Sequence, residues 1–336
     1  MITLSKIAKL AHVSVSTASK AFSGSTEISE ETREAVFAIA KEYGVFKKYR
    51  KAKYPKHVIA VICPEFEGRD YSTALTALQK HLSAKGCEVC VASTNFSAET
   101  ACELFAYYND YATVDGIVFI GHLPSYISYT GDIPLATIAQ KHNNVDISVV
   151  NSALAGCKAV VAHLKTCNVQ TIGLLGEPHT EKSLETMKDL CMEQGFKEEN
   201  IYTSVSNKRF NEGGYLAAKQ LLKKHPLPDA FICSYDNLAI GAMRYLTEQG
   251  YSIPKDTLII GQNNITESAY LTPSLATIDQ HLNEACEQAA DALHNLLIGN
   301  PYPNQITIES EFILRESPHK IQRDCFLRIR RADRKA

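Results

Sequence analysis

The sequence predicts a multidomain protein: a small all-α unit, then an α/β body of two Rossmann-like, doubly wound halves. Three observations predict it. Before residue 46 there are three short amphipathic stretches, each introduced by a serine or threonine. A basic stretch without apolar periodicity follows. From Val58 onward, strand-like apolar runs alternate with helical stretches, and that rhythm runs through twice.

The elements follow in order. Thr3 is placed to cap a first helix over Leu4–Ala11, with Leu4, Ile7, Ala8 and Ala11 on one face. His12 and Val13 make a turn. Ser14 then caps a second helix, Val15–Phe22, whose apolar face is Val15, Ala18 and Phe22, and Ser23-Gly24-Ser25 ends it. Ser29 caps a third helix, with Glu30 and Glu31 in its favourable first turn, a buried stripe of Val36, Phe37, Ile39 and Ala40, and Gly44 as its stop. Two short helices joined by a tight turn form a helix-turn-helix, a geometry suited to entering a major groove. Residues 47–57, KKYRKAKYPKH, read as a basic linker that is disordered in free solution.

In the body, strands are expected at Val58–Cys63, Glu88–Ala92, Gly116–Ile120, Leu135–Ile138, Thr171–Leu175, Ile201–Val205, Ala230–Cys233 and Thr257–Ile260. Helices are expected around Ser72–Ala84, Ala98–Tyr108, Ser152–Thr166, Glu181–Gln194, Asn211–Lys224 and Asn237–Gln249. Such βαβ units give parallel sheets. Two halves facing each other across a cleft would place a small-molecule site at the carboxyl ends of the strands.

Charge separates the parts further. The 336 residues carry a net charge of −2. Residues 1–57 hold 11 Lys and Arg against 5 Asp and Glu, a net of +6. Residues 58–317 carry a net of −13, and residues 318–336 a net of +5. A basic head on an acidic body points to a polyanionic partner for the head alone. With 45% hydrophobic and 21% charged residues the composition is that of a soluble globular protein. No apolar run reaches the ~18 residues of a membrane span, and MITLSKIAKLAHVS has no apolar signal core, so a cytoplasmic protein is expected.

Ten cysteines are scattered, and Cys87 and Cys90 form the one CxxC. On a strand, residues three apart face opposite ways, so these two are not expected to share a metal. Reduced, buried thiols and no metal site are expected. No GxxxxGK[ST], GxSxG or HExxH is present, so a binder without a cofactor is expected rather than an enzyme.

The segments TLSKIAKLAHVSVSTASKAF and ISEETREAVFAIAKEYG resemble the headpiece of the LacI/GalR family of bacterial transcriptional regulators. The body is similar too, through VDGIVFIG, QTIGLLG, FICSYDNLAIGAMRYLTEQGYSIPKDTLIIG, PSLATIDQ and EFILRES. The resemblance spans residues 2–317 and implies a periplasmic-binding-protein-like body whose chain crosses between subdomains near Ser148, Gln280 and Ser310. The implied divisions are a headpiece (1–46), a hinge (47–57), a core (58–317) and a basic tail (318–336). Within the core, 58–148 and 281–309 would form one subdomain, and 149–280 and 310–317 the other.

The resemblance also implies roles. Val15, Ser16 and Lys20 match base-reading positions, and Thr3, Ser14, Thr17, Ser19 and Ser23 match phosphate-holding ones. Ser14 would be needed as an N-cap whatever the helix binds, and Lys20 is alternatively a solvated lysine. The hinge is shorter than is typical and lacks the leucine that wedges into the minor groove. Less operator bending is therefore expected, with Tyr49 or Tyr54 as alternative wedges.

In the cleft, Asp236 matches an aspartate that accepts hydrogen bonds from sugar hydroxyls; a helix-start aspartate is the alternative. Asp70, Tyr71, Tyr235 and Asn263 are further candidates. Ser183 stands where relatives place a gripping arginine, and Arg209 stands where an aromatic residue commonly stacks. Arg209 is then either a grip for an anionic effector, such as a sugar acid or sugar phosphate, or an exposed loop cation. A homodimer on double-stranded operator DNA is implied, with a carbohydrate-like effector. Repression or activation stays open, as does dependence on a protein corepressor. The rivals are a transport-associated sugar binder, which predicts a secretion signal and no basic head, and a Rossmann-type enzyme, which predicts a glycine-rich loop after Val58–Cys63.

Overall fold

The structure is a computed structural model that describes residues 2–46 and 55–318, apart from 113, 125, 126, 128, 130, 132 and 140. The expectations for residues 47–54, Tyr49 and Tyr54 among them, and for the tail from 319 onward lie outside the described residues. The chain divides into two compact units, Met1–His57 and Val58–Ala336.

The first unit is three helices: α1 (Leu4–Leu10), α2 (Val15–Ser23) and α3 (Glu30–Glu42). Each start is set by a side chain that accepts an otherwise unpaired backbone N–H. Thr3 takes that of Lys6, Ser14 that of Thr17 at 3.0 Å, and Ser29 that of Thr32 at 3.3 Å. Gly24 ends α2 with φ of 77°, a conformation that strains a residue with a Cβ. The core is small: Ile7, Ala8, Ala18, Ala21, Phe22, Val36, Ala40 and Val45, with the rings of Phe22, Phe37 and Phe46 closing one side. Arg33 ties the α2–α3 turn by donating to the Ser25 carbonyl at 2.8 Å.

One expectation is corrected here. Val15, placed on the apolar face of α2, is 47% exposed, and the inward face is Ala18, Ala21 and Phe22. Helical side chains lean toward the N-terminus, so a residue in the first position overhangs the end of the bundle.

The second unit holds two six-stranded sheets. The first runs β11-β5-β4-β3-β1-β2, with β1 (Val58–Cys63), β2 (Glu88–Ser93), β3 (Gly116–Gly121), β4 (Leu135–Ala139), β5 (Ile147–Ser152) and β11 (Gln305–Glu309) all parallel. The second runs β12-β10-β9-β8-β6-β7, with β6 (Ile172–Gly176), β7 (Ile201–Val205), β8 (Ala230–Cys233), β9 (Leu258–Gln262) and β10 (Ala276–Asp279) parallel and β12 (Glu311–Ile313) antiparallel at the edge.

Helices α4 (Arg69–Ala84), α5 (Ala98–Ala106) and α10 (Leu282–Leu297) flank the first sheet; α6 (Leu154–Thr166), α7 (Glu181–Glu193), α8 (Phe210–Lys224) and α9 (Asp236–Glu248) flank the second. Both faces of each sheet are covered, which is why the central strands are apolar throughout. In β1, Ile59, Val61 and Cys63 enter the core under α4 and α10, while Ala60 and Ile62 enter the core under α5. Cys87 and Cys90 pack on opposite faces of the same sheet. Helices α8 and α9 approach closely because Gly214 and Gly241 face backbone. A Cβ on Gly241 would lie 1.8 Å from the Asn211 carbonyl oxygen.

The chain passes from the first sheet to the second after Ser152, not near Ser148, because β5 pairs with β11 through Ser152. Strand β5 is absent from the rhythm read off the sequence, and α6 starts at Leu154 rather than Ser152. The other two passages lie between β10 and α10, and at Ser310 between β11 and β12. Hydrogen bonds bind the three together. Asn151 donates to the Gln280 carbonyl at 2.8 Å, Ser310 N–H to the Ser152 carbonyl at 3.0 Å, and Gly156 N–H to Ser310 Oγ at 3.0 Å.

Candidate functional site

In the first unit, the expected reading positions fall on one side of α2. Val15, Ser16 and Lys20 are exposed, and Ser19 beside them is half-buried. Ser14 Oγ lies 2.8 Å from both Ser16 Oγ and Thr17 Oγ1, so the N-cap also ties the first turn's hydroxyls together. Thr3 and Ser23 are exposed; the Ser23 hydroxyl donates to the Lys20 carbonyl at 3.1 Å. The sequence reading missed Glu27. Its carboxylate pairs with Lys20 across the turn that Arg33 fixes, and the pairing holds it below the usual carboxylate range.

In the second unit, parallel strands deliver their carboxyl ends to one edge of each sheet, and the loops there face each other. They enclose a cavity of about 1050 Å³ lined from both halves. Asp70, Tyr71, Ser183, Arg209, Tyr235 and Asn263 all line it. Several contacts between described residues join the halves across it. Asn263 donates to Asp70 through its side-chain amide, and Arg69 pairs with Glu267. The ring of Phe96 stacks on that of His179 with centroids 4.0 Å apart. Arg209 grips Glu65 with both terminal nitrogens, Nη2 to Oε1 at 2.8 Å.

Asp236 is fully buried; it is not in the wall of this cavity, but it joins Asp70, Tyr71, Arg209, Tyr235 and Asn263 around a smaller pocket beside it. Its carboxylate accepts from Ile265 N–H at 2.9 Å, Ser268 Oγ at 2.7 Å and Thr277 Oγ1 at 2.7 Å. These partners belong to the same half. Gly261 lets the carboxylate lie against β9, since a Cβ there would sit 2.0 Å from Asp236 Oδ1. Burial pushes this carboxyl up to about 6 against the pull of its three donors. It fastens the segment after β9 to the start of α9. That segment presents Asn263 and Asn264 with φ of 94° and 49°.

Asp70 is the acid that meets the cleft. Burial and the nearby charge of Asp236 push its carboxyl up to about 7, while the Asn263 amide opposes the shift. Gln280 continues the chain by donating to Asn263 Oδ1 at 2.8 Å, which links Asp70 to one of the passages between halves. Tyr71 packs edge-on to Phe96, with centroids 6.1 Å apart. The Tyr235 hydroxyl accepts from Phe210 N–H at 3.0 Å and so fixes the corner that carries Arg209; burial pushes this phenol up to about 12.

Arg209 is half-buried, and its guanidinium already has partners. Glu65 takes two of its nitrogens, and the buried Glu177 lies 3.7 Å from Nε. The rings of Phe96 and Phe210 lie 5.1 and 4.6 Å from the guanidinium carbon. The hydrogen bond to Glu65 raises the arginine's pKa further. Gly68 makes room for this, since a Cβ there would fall 2.5 Å from Glu65 Oε1.

Glu65, Phe96, Glu177 and His179 were not singled out in the sequence, and Gln280 was named only as a crossing point between subdomains. Two carried a usable signal: Glu65 follows β1 and Glu177 follows β6, the equivalent first strands of the two halves. Among the described residues no group of three or more His, Cys, Asp and Glu could hold a metal ion. No described helix is long and apolar enough to cross a membrane.

Comparison with known proteins adds three kinds of likeness. Residues 3–45 match the family described as bacterial regulatory proteins, lacI family, and residues 161–318 match the periplasmic binding protein-like domain. The chain is 27% identical to the HTH-type transcriptional regulator GalR of Streptococcus thermophilus, over 94% of this chain and 99% of that one. It is also 27% identical to the ribose operon repressor of Haemophilus influenzae, over 96% and 100%. Among solved structures, the lac repressor dimer bound to operator and the anti-inducer ONPF aligns with a TM-score of 0.65 at 20% identity, over 94% of this chain and 99% of that one.

Proposed function

The chain belongs to the LacI/GalR family of bacterial transcriptional regulators, and from that premise we propose that it is a cytoplasmic repressor that holds operator DNA as a homodimer and loses or gains that grip when a small carbohydrate-like molecule enters the cleft. One observation carries the DNA half of this reading. Val15, an apolar β-branched residue, stands exposed at the start of a well-capped helix, beside exposed Ser16 and Lys20, on a basic unit. Exposure of Val15 stabilises nothing in the free protein, whereas a thymine methyl in a major groove would cover it. Ser16 suits a base edge as donor or acceptor, and Lys20 suits guanine O6 or N7. Thr3, Ser14, Thr17, Ser19 and Ser23 surround these with groups that suit phosphate oxygens. The relatives' names, the HTH-type transcriptional regulator GalR and a ribose operon repressor, support the regulatory class, and the second supports a carbohydrate-like effector; the dimeric lac repressor complex supports two half-sites.

The body acts as a binder on this reading. The carboxyls of Asp70, Glu177 and Asp236 already have protein partners, and the contacts across the cavity suit a hinge that ligand occupancy would open or reset. Selection of bound sites from random duplex DNA, followed by retitration with a panel of sugars, tests both halves. A near-palindromic consensus whose affinity shifts with one compound is the expected result. Equal, weak binding of every duplex, unchanged when residues 1–57 are removed, would reject it.

A further inference from the structure

Within the effector-cleft reading, we propose that Glu65 and Glu177 are the specificity determinants of the cleft: they take up the charge of Arg209, turn it into a strut between the halves, and exclude an anionic effector.

The argument starts from charge. Two arginines, Arg69 and Arg209, line the cavity, and seven carboxylates (Glu65, Asp70, Glu177, Asp236, Glu267, Asp279 and Glu284) stand in or beside its wall among the described residues. Arg69 is paired with Glu267. Arg209 is held by Glu65 from the other half and faced by Glu177 from its own. An anionic ligand would therefore meet no unpaired guanidinium, and several carboxylates would repel it. In a partly desolvated cleft that repulsion is screened far less than at the surface.

Geometry says the same. A guanidinium with both terminal nitrogens on one carboxylate cannot also offer a two-pronged grip to a second. The faces of Arg209 are turned to Phe96 and Phe210, which leaves its edge as the remaining contact. At that edge Nε is buried and makes no hydrogen bond among the described residues. It lies 3.7 Å from the Glu177 carboxylate, so this side of the guanidinium too is covered by negative charge and offers no grip to an anion. Elsewhere the wall offers amides and hydroxyls (Asn263, Gln280, Ser183), with the Phe96–His179 stack as a flat apolar face, which suits the faces and edges of an uncharged polyol ring.

The strut and the selectivity are one device. Glu65 comes from the first half and Arg209 from the second, so the pair that cancels the charge also holds the halves together.

The test uses the full chain and three anionic probes, namely sulfate, gluconate and glucose 6-phosphate, titrated by calorimetry at constant ionic strength. The wild type is expected to give no saturable binding. The E65Q variant, which frees two guanidinium nitrogens, is expected to bind at least one probe ten times more tightly or better. The G68A variant, whose new Cβ displaces the Glu65 carboxylate, is expected to gain anion binding in the same direction, with native circular dichroism confirming that both variants fold. Saturable binding of any probe by the wild type, lost on substituting Arg209→Leu, overturns the proposal. So does a folded E65Q with no gain. None of these readouts involves DNA. Failure of operator selection with the expected anion response would therefore reject the regulatory reading alone, and the reverse pattern would reject this inference alone.

Discussion

Replacing Asp236 by alanine separates the two roles that this residue could have. The carboxylate accepts three hydrogen bonds in a site without water access, from Ile265 N–H, Ser268 Oγ and Thr277 Oγ1. Removing it strands three donors at once, and each buried donor left unpaired costs about 1–3 kcal/mol. The two hydroxyls can turn toward other acceptors; the Ile265 N–H is fixed by the backbone and cannot. Counting one full penalty, two partial ones and a small cavity gives a loss of about 3–5 kcal/mol, at the upper end for single substitutions. For a unit of this size that lowers the melting temperature by roughly 6–20 °C. Differential scanning calorimetry of the full chain reads the shift. Effector affinity, measured well below the variant's transition, should move by less than threefold, because Asp236 lies behind the cleft wall. A variant that melts within about 2 °C of wild type yet no longer binds the effector would refute the reasoning and return Asp236 to the ligand.

Three further outcomes are expected. For Asp70 the folded carboxyl titrates near 7 and the unfolded one near 3.8, so the folded state binds the proton more tightly and stability falls as pH rises from about 4 to 7. D70N removes that loss. Three pKa units correspond to about 4 kcal/mol, and screening by water in the cleft reduces this to about 1–2, so D70N should be more stable than wild type at pH 8 and no more stable at pH 4, read by thermal melts at both values. G241A drives a Cβ to 1.8 Å from the Asn211 carbonyl oxygen, so α8 and α9 must separate, at a cost of about 1–3 kcal/mol in a denaturation series. E27Q releases Lys20 and removes a negative charge from the face of α2, so duplex affinity should rise about threefold to tenfold for all sequences, with the slope of log affinity against log salt steeper by about 1 in gel-shift titrations.

The helical unit was legible because its signals are local. Ser14 and Ser29 cap within three residues, Gly24 and Gly44 stop their helices, and the buried stripes repeat within one helix. Val15 was assigned to the core because periodicity ignores where a helix ends. In the body, apolar strands alternating with helical stretches of ten or more residues gave the doubly wound architecture. Strand β5 escaped the rhythm because it follows β4 without a helix between them, and its other neighbour, β11, lies more than 150 residues away in the chain.

The cleft divides along the same line. That Asp70, Tyr71, Ser183, Arg209, Tyr235 and Asn263 would gather at strand ends follows from chain order in a parallel sheet. That Asp236 is fully buried beside them does not, since it depends on Gly261, Ser268 and Thr277 arriving from later segments. Arg209 is the sharpest case. Its sequence position says only that a cation stands after β7, which left a grip for an anionic ligand and an exposed loop cation equally open. The carboxylates that cancel it lie 144 residues away in the opposite half, at Glu65, and on an adjacent loop, at Glu177. Sequence by itself determined the elements, the charge partition and the class of protein, because each is written in short-range pattern. Only the tertiary structure decided which charges are free to act, because an electrostatic field belongs to neighbours in space, and chain order does not name them.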